Sequence, residues 1–247
     1  MRLDVEFKQL SQRFDTDFGE VLTAPGAIDA GVEDSLVTRT LTEYSNDRVT
    51  SIGDSAFRAC AKLKSVDFPN ATFIGSYAFH TCTSLEAASF PLATRMDSYA
   101  FYGCSSMTSV DFPYLTGVNS SSFQGCSSLT EVHFPLSTSF GGSAFNGCTA
   151  LATAELPKAA SINNLAFQNC YSLTAVVIGY DKVCSLAGTG AFNGCHHILG
   201  TVDATYNPYG LKDGYIYVPD DLVESYKTAT NWKTYASQIK PLSEYDN

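Results

Sequence analysis

Cysteine and histidine are the residue types of this chain that could bind a metal ion, form disulfides or act as nucleophiles. The 247 residues include eight Cys and four His. Zinc sites usually contain Cys pairs two to four residues apart, whereas the closest cysteines here, Cys184 and Cys195, are eleven residues apart. The spacing shows no zinc pattern, and we predict neither a metal site nor any other cofactor.

Seven of the eight cysteines recur at a nearly constant spacing. Six are 22 residues apart and the seventh follows after 25: Cys60, Cys82, Cys104, Cys126, Cys148, Cys170 and Cys195. Side chains in one register of a repeat should point the same way, and parallel directions oppose disulfide bridging. We therefore favour small buried apolar fillers over disulfides, and expect Cys184, outside the series, to be the most reactive thiol.

The remaining candidates for chemistry are weaker. His196 and His197 could bind a metal together with Cys195, but adjacent residues of an extended chain point to opposite sides, so a loop pair without function is favoured. The serines fall at turn positions, where hydroxyls satisfy backbone groups. No nucleophile–base grouping or glycine-rich phosphate loop is recognised, so we predict no catalytic residue and no enzyme.

The strands and turns that carry these residues can be predicted from the repeat. Val110-Asp111-Phe112 alternates apolar, polar and apolar residues, as a short strand does, and Pro113 ends that strand. The Ala-Phe-x-x-Cys stretch before it is typical of one tight helical turn. Each unit directs about six side chains inward and can bury them only by stacking on its neighbours, which predicts a solenoid. Successive strands should then pair in parallel at a spacing of about 4.8 Å.

This pattern resembles the BspA-like leucine-rich repeats, whose unit runs from Ile-Gly through Ala-Phe and Cys to Leu-x-x-Val-x-Phe-Pro. The clearest copies run from Ile52 to Pro69 and from Ile74 to Pro91. The resemblance covers about residues 35–200. It implies an α/β solenoid, a leucine-rich repeat coil with short parallel strands on one face, and the rule for parallel crossovers makes the coil right-handed.

The two ends differ from the repeats, which predicts three regions: an N-terminal module (1–34), the solenoid (35–200) and a C-terminal cap (201–247). Two short strands are plausible within 1–34, which would serve for attachment or capping. At the other end, Tyr215–Val218 should form a final strand, and a helix should follow from Pro219 and stop at Lys240-Pro241. The alternative is an independent binding helix pair, against which burial of the only Trp would argue.

Repeat proteins usually bind partners along their sheet, so the outward strand positions are the candidate binding residues. They are Asp67, Ser89, Asp111, His133, Glu155 and Val177. None is the Trp, Tyr or Arg that dominates most interfaces, so the binding signal is weak. Four tyrosines elsewhere on the coil form a second candidate surface, or pack only against each other: Tyr77, Tyr99, Tyr102 and Tyr114.

The net charge and the hydropathy of the chain argue against several kinds of partner. The formal net charge of −10 argues against nucleic acid and anionic membranes, and no apolar run reaches the ~18 residues of a membrane span. The first 14 residues do not resemble a secretory signal.

The resemblance to the BspA-like repeats implies adhesion or protein–protein contact, with a protein or cell-surface glycan as partner. We expect a phage- or prophage-encoded virion surface component attached through residues 1–34. The alternative is a bacterial cell-surface or secreted adhesin.

Overall fold

The computed structural model describes residues 41–200 and 213–245, the single residues Thr205, Asn207 and Gly210, and the backbone of strand β1 (Ala27–Ile28). Apart from β1, the predicted 1–34 module lies outside the described residues. Within the described ranges the chain forms stacked coils, and successive coils pair through parallel strands on two faces. The predicted solenoid is confirmed.

One face, called here the strand face, carries the strands that the sequence predicts, together with one further strand at each end. They are β2 (Glu43–Ser45), β4 (Ser65–Asp67), β6 (Ala87–Ser89), β8 (Ser109–Asp111), β10 (Glu131–His133), β12 (Thr153–Leu156), β14 (Ala175–Ile178), β16 (Tyr215–Val218) and β17 (Ile239–Pro241). All pair in parallel, in a three-stranded sheet β2-β4-β6 and a six-stranded sheet from β8 to β17. The Cα register joins equivalent residues of successive coils, as in Val132 opposite Val110.

A second face carries two-residue strands that the sequence analysis missed. They are β1, β3 (Ser51–Ile52), β5 (Phe73–Ile74), β7 (Arg95–Met96), β9 (Gly117–Val118), β11 (Ser139–Phe140), β13 (Ser161–Ile162) and β15 (Ser185–Leu186). The side chains described in these strands place their second, apolar residue inside the core. A two-residue strand shows no alternation of apolar and polar residues, which explains why the sequence pattern did not reveal it.

Stacked side chains fill the interior of the coils. The first complete coil buries eight of them rather than the predicted six: Ile52, Ala56, Phe57, Cys60, Leu63, Val66, Phe68 and Ala71. The phenylalanines form two parallel stacks along the solenoid. In one stack the rings of Phe101 and Phe123 lie 5.5 Å apart, and in the other those of Phe112 and Phe134 lie 6.0 Å apart. Each coil therefore buries its aromatic rings against those of its neighbours.

The Ala-Phe-x-x-Cys segment forms a hydrogen-bonded turn in place of the predicted helical turn. The amide of Phe101 donates to the Ser122 carbonyl of the next coil over 2.8 Å. Two residues of the same turn, Tyr99 and Gly103, have left-handed φ values of 63° and 71°. These left-handed residues interrupt the helical path and turn backbone groups towards the neighbouring coil. The corner is therefore held by bonds between coils.

The cysteine ladder adds a second bond at the same corner. The thiol of Cys126 donates to the carbonyl of Phe101 in the preceding coil over 3.2 Å, and Cys104 donates to that same carbonyl through its backbone N–H. The pattern repeats along the coil: Cys148 donates to the Phe123 carbonyl over 3.2 Å. Cysteine combines a small buried side chain with a weak donor, which satisfies the second lone pair of that carbonyl.

The C-terminal segment covers the last coil and satisfies its exposed carbonyl groups. The only Trp, Trp232, is 1% exposed and donates through its indole N–H to the Cys184 carbonyl over 2.6 Å. The side-chain amide of Asn231 donates to the Leu186 carbonyl over 2.7 Å. The phenol of Tyr235 donates to the Thr189 carbonyl. These contacts match a cap and argue against an independent helix pair.

Helix in the cap is shorter than the sequence predicts. After α1 (His196–Leu199), which closes the last repeat, the cap contains a 3-10 turn at Asp220–Leu222, helix α2 (Val223–Thr228), and 3-10 segments at Trp232–Gln238 and Leu242–Glu244. Asn231, with φ of 66°, interrupts the helix. The predicted helix end at Lys240-Pro241 is instead strand β17, which pairs with β16.

Replacing one ring of the phenylalanine stack tests how far stability depends on it. Phe123 is fully buried between Phe101 and Phe145, so Phe123→Ala should lower the free energy of unfolding by about 3–5 kcal/mol. Urea denaturation measures this loss. Lys62→Ala alters an exposed residue outside the stack; it is the control and should change stability little. A loss below about 1 kcal/mol for Phe123→Ala would contradict the stacked core.

Candidate functional site

The structure places all six predicted binding residues on the strand face. Asp67, Ser89, Asp111, His133 and Glu155 are exposed, whereas Val177 is half-buried. Their positions are aligned from coil to coil: His133 lies opposite Asp111 on one side and Glu155 on the other. The alignment was predicted from the repeat, while a binding role for these residues stays a prediction.

Three of the six line one cleft. Asp111, His133 and Glu155 line an open cleft of about 510 Å³ together with Glu131 and Tyr245. Its remaining lining residues are Ser109, Val110, Val132 and Thr153. Asp67 and Ser89 belong to the separate sheet formed by β2, β4 and β6, and Val177 lies beyond Glu155 towards the cap. The cleft thus spans the coils that carry β8, β10 and β12.

Polar contacts between coils orient the side chains of the cleft. The Nδ1 atom of His133 lies 2.6 Å from Oδ1 of Asp111, one coil away. The phenol of Tyr245 donates to Oε1 of Glu155 over 3.2 Å. A tyrosine phenol is already protonated at neutral pH, and burial and the nearby Glu155 carboxylate raise the pKa of Tyr245 further. The cleft therefore contains one neutral phenol donor, from Tyr245, and the carboxylate oxygens of Asp111, Glu131 and Glu155.

Tyr245 reaches the cleft through the path of the cap. Strand β17 adds to the strand face beyond β16, and the turn at Leu242–Glu244 then leads the chain back across that face. The Ser243 amide donates to Oδ1 of Asp220 over 3.0 Å, and the Tyr245 ring lies 4.9 Å from that of Tyr217. Tyr245 is 90 residues from Glu155 in the chain, and no sequence pattern indicated that the two meet.

The charges in the cleft favour a positively charged ligand. Asp111, Glu131 and Glu155 supply three carboxylates around the single imidazole of His133. On the strand face near the cap, Lys240 pairs with Glu244 over 3.0 Å and lies 4.2 Å from the centre of the Tyr215 ring. That lysine is thus engaged outside the cleft. Carboxylates clustered on a concave surface attract and orient cationic groups.

The cysteines and the histidine pair form no metal centre in the part of the chain described here. Within it, no three His, Cys, Asp or Glu side chains are arranged to hold a metal ion. His196 and His197 lie in α1 instead of the expected loop, and Nδ1 of His197 is 2.6 Å from Oδ1 of Asp213. All eight cysteines are free and buried. The expectation that Cys184 is the reactive exception is wrong, because burial raises its pKa to about 12.

Three of the four tyrosines of the second candidate surface pack in stacks. Tyr77 lies on Tyr99 with ring centres 4.8 Å apart, and His80 lies on Tyr102 at the same separation. Arg58 lies 5.8 Å from the centre of the Tyr77 ring. Tyr114 belongs to a different corner and is 50% exposed. The four tyrosines therefore do not form one surface.

The comparisons with known proteins agree with this geometry. A family model described as a BspA type leucine-rich repeat region matches residues 40–151 and 72–199, with six copies. The chain belongs to the BspA-type leucine-rich repeat family. Its members are built from the unit described above, so the resemblance expected from the sequence is confirmed. No curated protein sequence matches the chain.

Solved structures of bacterial leucine-rich repeat proteins are similar to the chain. A leucine-rich repeat protein of T. pallidum is 25% identical with a TM-score of 0.57, over 78% of this chain and 85% of that one. A leucine-rich repeat protein from Eubacterium ventriosum ATCC 27560 is 23% identical with a TM-score of 0.56, over 70% of this chain and 46% of that one. The second likeness concerns the fold alone. Among the residues described, no helix has the length and apolar character needed to cross a membrane.

Thiol reactivity tests the conclusion about the cysteines. Burial raises the pKa of Cys126 and of Cys184 to about 12, so both remain neutral thiols at pH 9. Contact with the Cys82 side chain lowers the pKa of Cys60, but the Cys60 thiol is fully buried, like the other seven. We therefore expect no rapid reaction of the native protein with a disulfide reagent at pH 7 or pH 9, and eight reactive thiols in urea after reduction and desalting. An exposed thiol, with a pKa of about 8.5, would react much faster at the higher pH. Any fast native thiol would contradict the buried ladder.

Proposed function

We propose that the chain is a non-enzymatic recognition protein that binds a basic segment of a protein partner through the cleft of the strand face. The observation that carries the proposal is the set of three carboxylates, Asp111, Glu131 and Glu155, gathered with His133 and Tyr245 on one exposed concave surface. Lysine and arginine side chains would bind these carboxylates by charge-assisted hydrogen bonds.

The geometry supports recognition more than catalysis. The Asp111 and His133 side chains, although only 2.6 Å apart, are 71% and 61% exposed, so water screens both of them. Besides Tyr245, the hydroxyl residues that line the cleft are Ser109 and Thr153, and neither is hydrogen-bonded to His133, as a nucleophile activated by that imidazole would be. Solenoids of this kind supply extended surfaces for partner proteins, and the family resemblance implies adhesion or protein–protein contact.

The location of the protein is part of the proposal. A partner-binding solenoid at a bacterial surface, as an adhesin, fits the family to which the chain belongs. The virion surface expected from the sequence, with attachment through residues 1–34, stays a prediction, as does a glycan partner. Capsid or tail genes beside the coding sequence would favour the virion. Genes for surface anchoring would favour the adhesin.

Neutralising the cleft tests the proposed binding. The probe is a fluorescent octapeptide of alternating Lys and Ser, and its affinity is measured by fluorescence anisotropy at about 50 mM and 300 mM salt. The triple variant Asp111→Asn, Glu131→Gln and Glu155→Gln should weaken binding at least about tenfold at the lower salt, because each lost carboxylate removes a charge-assisted contact. Higher salt should weaken the binding of the unaltered protein and affect the variant less.

A second triple variant controls for net charge. Asp47→Asn, Glu86→Gln and Asp221→Asn alter exposed acidic residues outside the cleft and change the formal charge equally, from −10 to −7. This variant should bind the peptide nearly as well as the unaltered protein. Equal weakening by both triples would mean that the peptide responds to overall charge, and the cleft would then not be the binding site.

A further inference from the structure

A row of exposed apolar side chains lies at the corner that follows the strand face. Leu92, Tyr114 and Leu136 each follow the proline that ends a strand, in three successive coils. Leu92 is 43% exposed and Tyr114 is 50% exposed, whereas Leu136 is half-buried. We call these three residues the corner ridge. Large apolar side chains at one register position occupy successive coils, and exposed apolar patches on folded proteins commonly mark binding sites.

The corner ridge has polar neighbours at both ends. The equivalent position in the preceding coil is Asn70, and in the following coil it is Lys158, both exposed. The ridge position can therefore hold a polar residue while the coil keeps its fold. An apolar residue at this position is not needed for packing of the core. An apolar centre with a polar rim is the arrangement found in protein interfaces.

The corner ridge and the acidic strand positions belong to one surface. Tyr114 follows Asp111 by three residues, and Leu136 follows His133 by three. Three residues of chain span at most about 11 Å, so Tyr114 and Leu136 lie close to residues of the cleft, whereas Leu92 extends the corner ridge into the coil of Ser89, beside the cleft. Phe112 and Leu115, on either side of the Pro113-Tyr114 corner, point into the core and fix the direction of this turn.

We propose that the partner segment presents apolar side chains beside its lysines or arginines, with the apolar side chains on the corner ridge and the cations in the cleft. The inference rests on the proposed function and adds the partner's chemistry to it. Charge complementarity selects the occupant, because Asp111 and Glu131 share their coils with Tyr114 and Leu136, and Glu155 lies in the next coil. A second copy of this acidic chain would place like charges together and is disfavoured.

Two peptides separate the apolar from the ionic contribution. Besides the Lys-Ser octapeptide, the test uses an octapeptide of alternating Lys and Leu, with the same charge. The unaltered protein should bind the Lys-Leu peptide at least about tenfold more tightly, because the leucines remove apolar surface from water. The variant Leu92→Asn, Tyr114→Asn and Leu136→Asn should lose that preference and bind the Lys-Ser peptide as before.

The repeat itself supplies the controls. Asn70 stands at the ridge position in a neighbouring coil, which is the reason for choosing Asn, and the urea midpoint of the triple variant shows whether it folds. The single variant Tyr114→Asn is a milder version that should lose part of the preference. Tyr77→Ser with Tyr99→Ser removes aromatic surface from another corner, where Ser55 and Ser121 occupy the same register, and should leave the preference unchanged.

The outcomes distinguish the inference from the proposed function. If the folded ridge variant keeps the preference for the Lys-Leu peptide, the corner ridge is not part of the binding surface, while acidic recognition stands. If both peptides bind the unaltered protein equally, the inference is likewise overturned. If neutralising the cleft leaves binding of the Lys-Ser peptide unchanged, the proposed function itself fails.

Discussion

Every part of this structure depends on the register between coils. A coil donates its backbone and thiol bonds to equivalent residues of its neighbour, and even the longer step from Cys170 to Cys195 keeps the bond from the Cys195 thiol to the Phe167 carbonyl. The corner shows this dependence most clearly, because the Phe101 carbonyl accepts both the Cys104 amide of its own coil and the Cys126 thiol of the next. The regular 22-residue spacing of the cysteines reflects this common register of the coils.

The candidate site results from regular repeats combined with an irregular end. Regularity places Asp111, His133 and Glu155 side by side, because identical coils align equivalent residues on one face. The cap then brings Tyr245 into hydrogen-bonding contact with Glu155, so that a residue of the cap lines the cleft beside the outward residues of the coils. Recognition by such a protein therefore depends on which residues the coils carry at a few outward positions, while the inward positions stay nearly constant.

The sequence was sufficient to predict the features that recur in every coil. The repeat predicted the solenoid, the strands of the strand face and the positions of Asp111 and His133. It did not predict the second face, because strands such as Phe73–Ile74 are too short to show a period. It also mispredicted the cap, where helical spacing of apolar residues from Leu222 to Ile239 concealed the break at Asn231. Tyr245 was missed because its position depends on tertiary folding of a unique segment.

Removing one whole coil tests the register most directly. Deletion of residues 75–96 joins Ile74 to Asp97, and Ile74 and Met96 are partners in adjacent strands, so the new junction keeps the register. Urea unfolding of this variant should remain one cooperative transition, with an m-value lower by about a tenth because less surface is exposed on unfolding. Loss of the cooperative transition would contradict the account, since it would show that the coils are not interchangeable units held by a common register.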